Sequence, residues 1–163
     1  QNPNRMNYNN KQPKDFMKSL QIVHIFLLTG VIGFGIYVFL SAKDQLFFSY
    51  QEDKAFLYLA IIISFIGNLA SKSLYAKLLK QISPKADFSE KAVRYSTAHI
   101  FRVAMLAFPA LMCIIFTMQS NNSFYYILVG VLVFMMVVIF PTKDKFANDA
   151  ALTSNEKSML EKL

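Results

Sequence analysis

Residues 103–142 read VAMLAFPALMCIIFTMQSNNSFYYILVGVLVFMMVVIFPT, 40 consecutive positions without an acidic or basic side chain. The run is interrupted only by the polar notch Gln119-Ser120-Asn121-Asn122-Ser123, which divides it into two apolar lengths. A bilayer core takes about 20 apolar residues per helix, and a soluble domain of 163 residues has no interior large enough for this much apolar surface. The stretch reads as a helical hairpin in lipid. Pro109 within its first arm removes one helix hydrogen bond and predicts a kink or a local widening.

The same pattern recurs upstream. Lys18 and Lys43 enclose 24 uncharged residues, and Lys54 and Lys72 enclose 17. The sequence therefore predicts an all-α integral membrane protein, a four-span antiparallel helical bundle over residues 15–141. The spans fall at about 16–40, 55–79, 88–118 and 124–140. Residues 1–14 form a polar tail and residues 142–163 a second tail. The polar start is unlike a signal peptide. Asp15 is a candidate cap for the first helix, and Asp87 with Glu90 has capping-box spacing before the third. Thr153 and Glu156 repeat that spacing ahead of Leu152-flanked apolar positions Met159, Leu160 and Leu163, which predicts a short amphipathic helix on the membrane surface or on a partner.

Hydrophobic residues make up 55% of the chain and charged ones 17%, with 17 Lys and Arg against 10 Asp and Glu for a net charge of +7. The basic side chains flank apolar segments and form no continuous stripe, so they match anionic lipid headgroups and not nucleic acid. Arg5, Lys11, Lys14 and Lys18 precede the first span, and Lys72, Lys77, Lys80, Lys85, Lys91 and Arg94 lie between the second and third. The positive-inside rule then places both termini in the cytoplasm. With no Trp, Tyr37, Tyr50, Tyr58, Tyr125 and Tyr126 are expected in the outer interfacial belt, and Tyr75 and Tyr95 in the inner one. Short outer turns make spans one and two, and three and four, neighbours. The single cysteine, Cys113, reads as a packing residue.

The two halves echo one another. Lys-Gln-Pro-Lys-Asp-Phe at 11–16 parallels Lys80-Gln81 through Pro84-Lys85-Ala86-Asp87-Phe88, and each leads to a His-Ile-Phe triplet, at His24 and at His99. Such a pattern fits a 2+2 parallel duplication about an axis along the membrane normal. Small residues form two faces suited to close helix packing. Thr29, Gly30, Gly33 and Gly35 lie in the first span, and Ser64, Gly67, Asn68 and Ser71 lie in the second. These faces are expected to meet.

Few residues carry chemistry. No span holds an acidic residue, so cation transport by an intramembrane carboxylate has no carrier here. No catalytic template is present, which argues against an enzyme. His24 and His99 fall on different helices at similar depth. The ordinary role for each is a hydrogen bond to a carbonyl or headgroup, and the sharper one is shared ligation of a haem or metal. Arg102 lies one turn beyond His99, where a guanidinium either rises to lipid phosphate or meets an anion. Three readings follow. The first is a non-catalytic membrane subunit or self-associating structural protein, a homo-oligomer or part of a membrane complex. The second is an anion or small-molecule carrier or channel with Arg102, His99, His24 and Asn68 on one cavity. The third is a bis-histidine redox subunit, with His24 and His99 as the metal pair and haem as its cofactor.

Overall fold

The computed structural model describes residues 13–162, with side chains from Phe16 onward. Six helices follow one another: α1 (Pro13–Ala42), α2 (Lys54–Lys80), α3 (Phe88–Ser120), α4 (Tyr125–Val138), α5 (Lys143–Asp149) and α6 (Ser154–Glu161). Among the described residues there is no sheet, only an isolated parallel bridge between Phe47 and Asn122. The first three helices are each long and apolar enough to cross a membrane. The fourth is shorter, and an 83° bend separates it from α5, so the pair counts as a further span only if taken as one broken unit. Most of the tail expected over residues 1–14 lies outside the described residues. Pro13 and Lys14 already belong to α1, so Asp15 sits inside that helix and not at its cap.

Buried positions recur every three or four residues. On α2 they are Leu57, Ala60, Ser64, Gly67, Ser71 and Tyr75, and on α4 Tyr125, Val129, Leu132 and Met136. The opposite faces leave Phe26, Ile36, Phe65, Phe108 and Phe134 open, the apolar exterior of a protein solvated by lipid. The third helix is the hub. It packs on α1, α2 and α4, whereas α1 and α2 scarcely touch. Direct pairing of the first two spans is thus corrected. Their connection, residues 43–53, is long enough for α1 and α2 to flank α3.

The meeting of the two small-residue faces is corrected as well. The α2 face runs antiparallel along α3: the Ser64 hydroxyl lies 3.7 Å from the Cys113 sulfur, and Ser71 Oγ donates to the Arg102 carbonyl at 3.0 Å. Between them Gly67 opposes Pro109, and a Cβ there would stand 2.5 Å from the proline Cγ and 2.8 Å from the Met105 carbonyl. Gly67 is the groove into which the Pro109 ring fits, and α3 is helical on both sides of that proline. Of the α1 glycines only Gly35 is packed, against Ile114 and Tyr126, and a Cβ at Gly30 or Gly33 would meet nothing within 4 Å.

At one end the two connections are tied together. Asn121 ends α3 in the left-handed region at φ 60°. Its neighbour Asn122 is fully buried, donates through Nδ2 to the Ser49 carbonyl at 2.8 Å and accepts at Oδ1 from the Ser49 and Phe124 amides. The other end is capped. Phe146 of α5 is fully buried against Phe16 and Tyr95, ring centroids 4.8 and 5.0 Å away, so the chain leaving α4 returns to the end where α1 and α3 begin. Both N-caps form, with Glu90 N donating to the Asp87 side chain and Glu156 N donating to that of Thr153. The short C-terminal helix docks on its own bundle: Leu152 and Leu160 are buried in the end cluster, and Glu156 pairs with a fully buried Lys91 at 3.0 Å. Lys91 is therefore no headgroup contact. Nor are Tyr75 and Tyr95 belt residues, since both are buried in the same cluster, and Tyr125 is buried in the main core. Tyr37, Tyr50 and Tyr58 remain exposed as a belt requires.

Candidate functional site

Two hydrophobic clusters fill the interior. One is centred on Val103, Leu106, Ala110 and Ile114 of α3, and the other on Tyr95, Ala98 and Phe146 under the cap. His24 of α1 and His99 of α3 sit along the same helices where the two clusters give way to each other, and each is 1% exposed. Helix ends explain why a histidine is useful there. The last four carbonyls of a helix have no intrahelical partner. With α4 ending at Val138, the Phe140 amide turns to the Val137 carbonyl and leaves that of Met136 open. His24 Nε2 lies 2.8 Å from it. Nearby, Gln21 Nε2 donates to the Pro141 carbonyl at 3.0 Å, and Lys145 Nζ donates to those of Val138 and Phe140 at 2.8 Å each. Three side chains thus close the broken end of α4.

The contact with Met136 fixes the hydrogen bonding of the pair. A carbonyl only accepts, so His24 Nε2 carries a proton, and in a neutral ring Nδ1 then presents a lone pair. That nitrogen is 2.9 Å from His99 Nε2, which donates to it. The imidazoles lie with centroids 5.1 Å apart and planes 25° from parallel. Tyr95 is stacked 6.2 Å from His99, and Phe140 meets His24 edge-on at 5.3 Å. Two nitrogen atoms from separate helices are thus directed at one another between aromatic rings, with a carbonyl holding the far nitrogen of one ring. Among the described residues, no three His, Cys, Asp or Glu side chains gather as a metal set.

The four polar residues singled out in the sequence divide into two places. Arg102 and Asn68 line a cavity of about 240 Å³ between α2, α3 and α4, together with Ser71, Lys72, Phe134 and Met135. Neither histidine lines it. The Arg102 guanidinium lies 4.4 Å above the Tyr75 ring, and the Tyr75 hydroxyl donates to Asp149 Oδ2 at 2.6 Å. Sequence reasoning placed Tyr75 and Tyr95 only in an interfacial belt, and it did not reach Asp149 or the Met136 carbonyl. The Thr153–Glu156 capping box is the one signal that marks the tail around Asp149 as ordered.

The chain belongs to the family described as Domain of unknown function (DUF4271), which it matches over residues 1–147. That span takes in the whole bundle and most of α5, and α6 lies beyond it. No curated protein and no solved structure matches the chain.

Proposed function

We propose that this protein is a membrane-embedded, non-catalytic subunit in which His24 and His99 hold a metal-centred cofactor. The observation that carries this reading is the 2.9 Å approach of His24 Nδ1 to His99 Nε2, with His24 Nε2 engaged by the Met136 carbonyl. Histidines that bind metals regularly give their second nitrogen to a carbonyl or carboxylate, which fixes the tautomer and aims the lone pair. Imidazole–metal bonds are about 2.0–2.1 Å, so nitrogens 2.9 Å apart would both reach a single ion with little movement of either ring, once the proton on His99 Nε2 shifts to its Nδ1 and frees that lone pair. A haem needs its axial nitrogens on opposite faces, about 4 Å apart by the same bond length. Rings already in hydrogen-bond contact leave no room for a macrocycle, so the spacing favours a bare transition-metal ion. Such an ion would be held by His24 and His99 and would supply an electron-transfer or purely structural centre.

The test is metal content. Protein purified in mild detergent and equilibrated with copper(II) or zinc is expected to retain about one ion per chain. His24→Ala and His99→Ala are each expected to retain none. Wild-type protein that stays metal-free, or variants that bind as well as wild type, would overturn the reading.

A second reading, self-association, is supported by the α1 face of Thr29, Gly30 and Gly33, which is exposed and carries no side chain bulk at the two glycines. Small residues let two membrane helices approach closely, and among the described residues nothing takes that place.

A further inference from the structure

Arg102 presents an electrostatic demand that the chain does not answer. Its guanidinium is half-buried at the level of the membrane-spanning helices and rests on the Tyr75 ring. Among the described residues no carboxylate lies within ion-pair distance of it, and no oxygen accepts from it. A cation at this depth pairs with an anion or with lipid phosphate. Beside it the crevice between α2, α3 and α4 has Lys72 at its mouth and apolar walls from Leu106, Phe134 and Val138. Asn68 also lines it, and its Oδ1 is buried without a donor. Along α2, Asn68 lies four residues from Lys72, about 6 Å by helical rise. The crevice thus sets two positive charges and an amide with an unused oxygen beside apolar walls.

We infer that this crevice binds one anionic phospholipid, with Arg102 and Lys72 on the phosphate, Asn68 at the linker region, and an acyl chain along Leu106 and Phe134. Such a lipid joins a phosphate to hydrocarbon, and the crevice sets its two positive charges beside apolar walls in the same way. Guanidinium to phosphate is among the stronger charge-assisted hydrogen bonds, and anionic headgroups are what basic pockets between membrane helices attract. The inference is independent of the metal reading, because neither histidine lines the crevice.

Native mass spectrometry of the whole chain in mild detergent tests it, with dioleoyl phosphatidylglycerol and dioleoyl phosphatidylcholine titrated separately. One phosphatidylglycerol per chain is expected to bind at least tenfold more tightly than phosphatidylcholine. Arg102→Gln should weaken phosphatidylglycerol at least tenfold, whereas Arg94→Gln, a surface change, should leave it unaltered. Val138→Trp adds bulk to an exposed wall position and should block the crevice without touching its charges. Equal retention of both lipids would overturn the inference. So would unchanged binding in Arg102→Gln, or displacement of phosphatidylglycerol by millimolar inorganic phosphate, which would mark a free-anion site. If Arg102→Gln does not fold, undiminished binding in Val138→Trp overturns the inference by itself.

Discussion

At Gly67 a single methyl group decides how α2 meets α3. The added Cβ of Gly67→Ala would sit 2.5 Å from a proline ring and 2.8 Å from a carbonyl oxygen, and neither can rotate away, so the helices must separate. Overpacking of this kind costs about 1–3 kcal/mol, and a thermal unfolding scan in detergent should show a clear loss. Gly33→Ala, with open space around the new methyl, should unfold no earlier than wild type and slightly later, since alanine is favoured over glycine in a helix by about 0.5–1 kcal/mol. Ala151 offers the opposite test. It sits at φ 51°, where an L-residue with a Cβ is strained by about 1–2 kcal/mol. Glycine gives back part of that in chain entropy, so Ala151→Gly should raise stability modestly in the same scan. The sequence reading reached Gly67 and Ser64 as packing residues because a stripe at spacing three and four has one face. It paired Gly30 and Gly33 with α2, which does not reach them, because a stripe does not say which neighbour takes that face. The histidines were legible for a different reason: two matched triplets in two helices entering from one end fix depth, and depth brought them level. Their 2.9 Å contact was not legible, since it depends on rotation of α1 and α3 about their axes.

The element that the sequence rendered least faithfully is the C-terminal tail. Its capping box was readable, but its docking surface was not, because that surface is assembled from the starts of α1 and α3 and from α5. Lys91 illustrates the difficulty: in sequence it is one more lysine in a basic loop, and in the fold its side chain is fully buried against Glu156 and the Ala151 carbonyl. Removing one partner of a buried ion pair strands the other, at a cost of about 3–5 kcal/mol. Lys91→Met is therefore expected to release α6 while the membrane helices stay folded. Limited proteolysis should then cut near residues 150–154, where wild type resists. The double change Lys91→Met with Glu156→Leu should recover much of that resistance, because an apolar pair of similar volume removes both desolvated charges. Protection unaltered by Lys91→Met would show that the apolar contacts of Leu152 and Leu160 hold α6 unaided.

At the scale of the whole molecule, the question is which way the bundle sits and whether α4 completes a fourth crossing. With 14 residues, α4 is only about 21 Å long by helical rise, short of a hydrocarbon core of about 30 Å. Two facts about its ends argue that it returns all the same. Its start is bonded into the loop that follows α1, through Asn122 and Ser49, and the segment after it places Phe146 against Phe16 at the start of α1. The chain from Asn122 to Phe146 thus joins the same two ends that α1 joins on its way out. Open carbonyls at such a break in lipid would be costly, and Gln21, His24 and Lys145 supply the donors that make it tolerable. Four crossings with the basic, capped end in the cytoplasm is accordingly our reading, by the positive-inside rule. Single cysteines test it directly. Gln51 and Asn148 are both exposed, one at each end, and the native Cys113 is buried and should stay unlabelled. With a membrane-impermeant thiol reagent, Gln51→Cys should label in intact cells and Asn148→Cys only after permeabilisation. The reverse pattern would invert the protein. Labelling of both from one side would mean that α4 does not carry the chain back across the bilayer, and the contact between Phe146 and Phe16 would then have to be abandoned along with the fourth span.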